Sequence, residues 1–304
     1  MAVVGLGDIA RKAYLPVLAT RPDLRLHLVT RNEATLAELG DSYRIQNRST
    51  RIAEALAAGL DAAFVHAATP AHAGIVAELL EAGVPVYCDK PLDASFAGAR
   101  RLTELAASRG IALMTGFNRR YAPAYAALLE QPRDVVIMQK NRAGLAAPPR
   151  SVAFDDFIHV ADTLRFLAPG PVTGTSIEVR TVGGLLEHAV LRLSGAGYTA
   201  IGVMSRVSGS AEESVEAIGG GHKRRVTNLA EVTDYGSTAI GPALAVTRRG
   251  DWTPVSRQRG IEQACEAFLA AVRRGDPLTA HAQDALETHR ICEDVVTACG
   301  SPPA

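Results

Sequence analysis

"AAFVHAATPAHAGIVAELLEAGVPVYCDKPL", residues 62–92, reads as one complete β-α-β unit. AAFVHAAT is an apolar run of strand length, HAGIVAELLEAG has the apolar spacing of an amphipathic helix, and VPVYCD is a second apolar run. A strand, a crossover helix and a strand in that order make a parallel pair whose strands are buried on both faces. The run then turns polar at once, with Asp89, Lys90 and Pro91 following the core segment.

The same alternation continues in both directions. Towards the N-terminus lie AVVGL (strand), DIARKAYLPVLAT (helix), LRLHLVT (strand) and EATLAELGDSY (helix). Towards the C-terminus ASFAGARRLTELAASRG (helix) and IALMTGF (strand) close the series near Phe117. The expected fold is α/β, an N-terminal Rossmann-type doubly wound parallel sheet. Beyond about residue 133 the pattern changes to period two with glycine punctuation, as in DVVIMQKN, GTSIEVRTV, LEHAVLRLSG, YTAIGVMSRV, ESVEAIGG and RRVTNLAEVTDYG, with HVADTLRFL as a helix beside them. That texture predicts a C-terminal α+β domain on a mainly antiparallel sheet. IEQACEAFLAAVRRG and AQDALETHRICEDVVTAC add closing helices. The expected division is 1–118, dinucleotide-binding, and 119–304, substrate-binding and oligomerising, with the last helices packing back towards the first domain.

Composition narrows the function. A chain of 304 residues exceeds one comfortable core, so two domains are the default. Lys plus Arg and Asp plus Glu both number 32, giving a formal net charge of zero. No broad positive field exists to gather nucleic acid or anionic lipid, so neither is an expected partner. No apolar run has the length of a membrane span and the start carries no signal-peptide pattern, so a cytoplasmic location is expected. Cys88, Cys265, Cys292 and Cys299 form no C-x-x-C pair and no metal-spaced cluster, so they read as reduced and mostly packed, with no metal site.

Three constellations carry chemistry. In VVGLGDIARKA, Gly5-x-Gly7-x-x-Ala10 follows the first strand and opens a helix. The first glycine makes the turn, the second lets the backbone approach a pyrophosphate, and the small third residue lets helix and strand pack closely, with Asp8 and Ile9 lining the helix start. Next, the strand ends Ala68-Thr69-Pro70 and Asp89-Lys90-Pro91 deliver polar residues to the carboxyl edge of the sheet, where such folds bind ligands. Lys90 therefore lands near the nicotinamide if the loop holds a dinucleotide. Thr69, Pro70 and Asp89 belong to the same edge; His72, in the first turn of the following helix, is either a further cofactor-side residue or a solvated one. Last, Asp155, His159 and Asp162 in FDDFIHVADTLRFL stand at i, i+4 and i+7 and share a helix face, while Asp156 lies off it and reads as a turn cap. In GFNRRYAP, Asn118, Arg119 and Arg120 stand at the domain boundary, where the arginines either tether the domains or clamp a phosphate or an anionic substrate group.

Taken in order, Gly5-Leu6-Gly7-x-x-Ala10, ATPAHAGIVAELLEAGVPVYCDKPL, GFNRRY, the Asp155-x-x-x-His159-x-x-Asp162 helix and DALETHRICEDVV resemble the glucose-fructose oxidoreductase / inositol dehydrogenase / rhizopine-catabolism (Gfo/Idh/MocA) family over essentially the whole chain. GFNRRYAP resembles a bacterial branch often labelled virulence factor. The resemblance implies a dimer built on the open sheet face, and catalysis by Lys90, Asp155 and His159, with His159 moving the proton and Asp155 fixing its tautomer. Asp89 stands where the family usually has Glu. Phe157 stands where it often has Gly, and is expected to narrow the pocket. The implied activity is NAD(P)-dependent hydride transfer to or from a small polar carbonyl, hydroxyl or imine compound. A non-catalytic cofactor-binding sensor or scaffold, or a redox-neutral enzyme that retains its cofactor, is the alternative. The second strand ends in Thr30-Arg31-Asn32 with no acid before Glu33, and a hydroxyl with a guanidinium suits a 2′-phosphate better than a diol, so NADP is expected over NAD.

Overall fold

The computed structural model describes residues 1–238 and 241–300. Among them, β1 (Ala2–Val4), β2 (His27–Val29), β3 (Asn47–Ser49), β4 (Ala63–Val65), β5 (Val86–Asp89) and β6 (Leu113–Gly116) form a sheet in the order β3-β2-β1-β4-β5-β6, every neighbouring pair parallel. The order reverses between β1 and β4, which is where a crevice opens beyond the strand ends of such a sheet. A π-helical turn (Ala10–Tyr14) runs into α1 (Leu15–Leu18), and α2 (Glu33–Ser42), α3 (Ile52–Ala57), α4 (Thr69–Glu81) and α5 (Phe96–Arg109) follow successive strands. β3 and α3 were not expected from the sequence. Asn47-Arg48-Ser49 is a short polar edge strand with no apolar run to reveal it, and it pairs only with β2.

Alternation along the strands divides the core. Val4, Val65, Val86, Cys88 and Leu113 pack with Val76 and Leu79 of α4 and with Ala99 and Leu102 of α5. Phe64 and Tyr87 point the other way and meet Phe268, at ring-centroid distances of 5.3 and 5.8 Å. Phe268 lies on the helix Ile261–Arg274, which belongs to the same compact unit: Met1–Gly116 with Ile261–Glu287.

The second unit comprises Phe117–Gly260 and the chain from Thr288 onward. Its sheet holds β7 (Val135–Asn141), β8 (Gly174–Val182), β9 (Leu185–Gly195), β10 (Tyr198–Ser205), β11 (Glu212–Gly219), β12 (His222–Thr227), β13 (Glu231–Thr238) and β14 (Gly241–Arg248), in the order β14-β13-β12-β11-β7-β10-β9-β8. Every pair is antiparallel except β7 with β10. RRVTNLAEVTDYG, which reads as one stretch, breaks into β12 and β13 at Asn228 and Leu229, whose φ values of 50° and 58° turn the chain. The helix Ile158–Leu167 lies close on one sheet face: a Cβ on Gly202 would stand 2.4 Å from Val160 Cγ1. Phe157, just before it, is wholly buried; it is a core residue of this unit rather than a pocket wall, as apolar aromatic area favours. Along β7 and β10 the opposite register (Val135, Ile137, Ile201, Val203) stays half-buried.

Candidate active site

The glycine loop leaves β1 at the carboxyl edge of the parallel sheet. Gly5 has φ +86°, and a Cβ there would lie 2.4 Å from the backbone nitrogen of Ala67, so only glycine lets the loop press against the end of β4. Gly7 is the opposite case. A Cβ there meets no atom within 4 Å, so its backbone faces open space where a pyrophosphate would approach. Ala10 is fully buried against the core, while Ile9 remains 41% exposed beside the loop. Asp8 pairs with Lys12 at 2.7 Å, which offsets its charge near the phosphate side of the loop. These features fit a dinucleotide.

At the neighbouring strand ends, Thr69 begins α4 with Pro70 at its first turn, where a proline's missing N–H costs nothing. His72 is not solvated. It is buried, with Nδ1 2.7 Å from the Pro91 carbonyl and Nε2 2.8 Å from the Ala67 carbonyl. The ring thus braces the end of β4 to the turn after β5, because the first turn of α4 points back between the two strand ends. Asp89 and Lys90 are half-buried, and the Lys90–Pro91 peptide is cis. The Tyr14 hydroxyl donates towards Asp89 Oδ1 at 3.4 Å and lies 3.1 Å from the Tyr87 hydroxyl. Burial pushes the Asp89 carboxyl above its usual range against the pull of Lys90.

Beside this chain sits His66, which the sequence reading had not singled out. It is 2% exposed, stacks on Tyr14 at 3.8 Å, and neither ring nitrogen has a hydrogen-bond partner. Burial, with a smaller contribution from His72, lowers its pKa to about 3.

At the second strand end Thr30 is half-buried and Arg31 exposed, and Arg31 takes part in none of the ion pairs among the described residues. Asn32 caps α2, its Oδ1 accepting from the Thr35 N–H at 3.0 Å.

In the second unit the expected residues fall into two groups. Asp162 is buried and accepts from Arg120 Nε at 3.0 Å and from the Thr288 hydroxyl at 3.2 Å. His159 is instead met by Arg119, whose Nη1 lies 2.7 Å from its Nδ1. Val152–Phe157 is π-helical and the α-helix begins at Ile158. Asp155 is exposed and accepts from the Ser151 hydroxyl at 3.1 Å. Asn118 donates from Nδ2 to the Arg259 carbonyl at 2.7 Å.

Behind His159 lies a charged cluster that the sequence reading missed. Arg119, 6% exposed, forks onto Glu213 with Nε and Nη2 at 2.7 Å each. Glu213 also accepts from Lys140 at 3.1 Å and from the Tyr125 hydroxyl at 3.0 Å. Asp156 does not cap a turn; it stands 3.3 Å from Lys140 and accepts from Arg142 at 2.9 Å and from Arg206. Four cations therefore share two carboxylates. Burial alone would raise both acids, but Arg119 and Lys140 hold Glu213 well below the usual range, and Arg142 leads the groups that depress Asp156. Burial, then Arg119, lowers Lys140 despite its acid partners. One signal in the sequence points to this cluster: Lys140 continues the buried register of Val136 and Met138.

Among the described residues no cluster of His, Cys, Asp and Glu is placed to hold a metal ion, and no helix is long and apolar enough to cross a membrane.

A six-stranded parallel sheet with this loop, joined in sequence to a mainly antiparallel eight-stranded unit, defines an oxidoreductase of the NAD-binding Rossmann class. Residues 1–117 match the model described as the oxidoreductase family with NAD-binding Rossmann fold, and residues 123–235 match the YceM-like C-terminal domain. YceM of Salmonella typhimurium, provisionally named an oxidoreductase, is 33% identical over 301 residues, covering 96% of this chain and 95% of its own. The chain belongs to the Gfo/Idh/MocA oxidoreductase family, with a YceM-like C-terminal domain. An inositol 2-dehydrogenase of Rhizobium meliloti is 23% identical over 97% of this chain and 94% of its own. A Gfo/Idh/MocA family oxidoreductase from Vibrio cholerae superposes with a TM-score of 0.90 at 30% identity, covering 97% of each chain.

Proposed function

We propose that the protein is a cytoplasmic NAD(P)-dependent dehydrogenase or reductase acting on a small polar carbonyl, hydroxyl or imine compound, with NADP preferred. The observation that carries the reading lies within the first unit: Lys90 ends β5 at the same sheet edge that carries the open-faced Gly7 loop and the polar start of α4. Thr69, Pro70, Asp89 and the braced His72 make up the cofactor side of that edge, and Asn118 and Arg119, in the segment that follows β6, are proposed as further cofactor-binding residues. Inositol dehydrogenases among the relatives support the class of reaction, and GenD2 from gentamicin A biosynthesis, which shares the fold, is known in complex with NAD. A bound nicotinamide supplies the hydride acceptor or donor.

Lys90 serves as an acid/base group beside the nicotinamide, and His159 moves the substrate's proton with Asp155 fixing its tautomer, as the family resemblance implies. The exposed Arg31 and the hydroxyl of Thr30 favour a 2′-phosphate, because no carboxylate stands at that strand end to repel one. The half-buried apolar register of β7 and β10 supports a homo-oligomer, since an open sheet face of this kind is covered in stable assemblies.

The test is Lys90→Met, assayed by the near-ultraviolet absorbance of reduced nicotinamide over a panel of polyols, sugars, keto compounds and cyclic imines. Cofactor dissociation constants within a few-fold of wild type and turnover lower by about a hundredfold or more are expected for loss of a positioned acid/base group. Unchanged turnover in the folded variant contradicts the assignment.

A further inference from the structure

We infer that Arg142 and Arg206 form an anion-binding site within the second unit, built for a small ligand that carries a carboxylate or phosphate group. The two arginines are neighbours by strand pairing. β7 and β10 run parallel with Gln139 beside Val203, and the ladder continues past their ends, where the Arg142 N–H donates to the Ser205 carbonyl at 2.8 Å. The Arg142 carbonyl accepts from the Ser208 N–H at 3.0 Å, and the Arg206 N–H donates to the Glu187 carbonyl. Both main chains are pinned, so two like charges are held side by side on adjacent strands, where they repel.

Asp156 gathers the two guanidiniums but does not balance them. Arg142 forks onto it, with Nε 2.9 Å from Oδ2 and Nη2 3.1 Å from Oδ1, and Arg206 Nη1 donates to the same Oδ2. Lys140 Nζ stands 3.3 Å from Oδ1, so one carboxylate meets three cations. Lys140 has Glu213 as a second partner at 3.1 Å, but Glu213 already takes the Arg119 fork. Positive charge is left in surplus. The other acids nearby do not relieve it: Glu212 accepts from Asn141 at 3.0 Å, Glu187 pairs with Arg180 at 3.3 Å, and Asp162 is held by Arg120. Among the described residues Asp156 is the one acid that pairs with Arg142 or Arg206.

The arginines also keep donors in hand. A guanidinium has five N–H donors and no acceptor. Arg206 gives Nε to the Leu145 carbonyl at 2.7 Å and Nη1 to Asp156, which leaves Nη2; the fork of Arg142 leaves Nη1. Neither nitrogen has a protein partner among the described residues. The Arg206 side chain is 12% exposed and that of Arg142 33%, so the cluster opens to solvent at Arg142 while the rest of it is shielded. Shielding strengthens the pull on a counter-charge, and planar donors suit the oxygens of a carboxylate or a phosphate. The site lies wholly within the second unit, and the inference goes beyond the dehydrogenase reading without depending on it.

The experiment is a calorimetric titration of the full-length protein with sodium malonate and, separately, with inorganic phosphate, in about 0.15 M sodium chloride, where the Debye length is about 8 Å and diffuse surface attraction is screened. Saturating NADP, its own binding measured first, occupies the glycine loop; if NADP does not bind, that failure touches the dehydrogenase reading alone and the anion titrations are run without it. Expected is saturable binding of one anion per chain with a Kd of about 1 mM or tighter. Arg142→Gln and Arg206→Gln should each weaken it by about tenfold or more, the loss that removal of one charged hydrogen-bond partner implies. Tighter binding of malonate assigns the site to a carboxylate ligand, and tighter binding of phosphate to a phosphate ester. No saturation with either anion up to about 20 mM overturns the inference. So does a Kd unchanged in Arg142→Gln, which would mean an adventitious ion elsewhere. The wild-type titration needs no variant, and Arg142, a third exposed, can be replaced even if Arg206→Gln fails to fold.

Discussion

Replacing His66 by Phe removes a base that the folded protein refuses to protonate. Burial under Tyr14, with a smaller contribution from His72, lowers the pKa of His66 from 6.5 to about 3. The sign follows from which state binds the proton first. As pH falls through 6.5 the unfolded chain takes a proton on this ring and the folded chain does not, so stability is lost progressively until the folded ring also titrates near pH 3. At about 1.36 kcal/mol per unit, the loss between pH 7 and pH 5 comes to roughly 2 kcal/mol, and by pH 4 to about 3 kcal/mol. Phe fills the same stacked space without two unsatisfied nitrogens, so His66→Phe should match or exceed wild-type stability at pH 7. Urea unfolding followed by circular dichroism at both pH values gives the difference of differences, which cancels the other histidines. The variant should lose about 2 kcal/mol less than wild type between pH 7 and pH 5. Equal losses in the two proteins would show that the folded ring accepts a proton, and would refute the reasoning.

The two loop glycines should behave in opposite ways. Gly5→Ala combines φ +86° with a 2.4 Å clash against the Ala67 backbone and should cost about 3 kcal/mol or more in a chemical melt. Gly7→Ala points its methyl into open space, so stability should hold within about 0.5 kcal/mol while dinucleotide affinity by calorimetry falls more than about tenfold; unchanged affinity would mean the loop holds no pyrophosphate. Arg31→Ala should weaken NADP binding by roughly tenfold and leave NAD within twofold, as loss of one exposed phosphate partner implies, and a wild type that favours NAD would show the strand end to be misread. Light scattering at micromolar concentration should report a multiple of the 32.0 kDa chain mass; a monomer would contradict the role given to the β7–β10 face.

Much of this protein was legible along the chain because the deciding interactions are local. Alternating apolar runs and amphipathic helices specify a parallel sheet with both faces covered, and a glycine pair directly after the first strand places the loop at its edge. β3 escaped because a short polar edge strand earns no apolar run. His72 was legible as a residue near the sheet edge but not as a brace, since its partners, the carbonyls of Ala67 and Pro91, meet only when β4 and β5 lie side by side.

The clearest case is the cluster behind His159. Period-two alternation by itself turns Lys140 inward with Val136 and Met138, and Glu213 inward with Val215 and Ala217. Nothing in either strand says that one will neutralise the other. That is decided when β11 docks antiparallel on β7 in the register that sets Glu213 opposite Lys140, and when the turn after Phe117 delivers Arg119 to the same carboxylate. A chain pattern fixes which face a side chain takes, because adjacent peptides dictate it. Which charges share that face depends on strand pairs far apart in sequence, and a lone buried charge is too costly to leave unpaired.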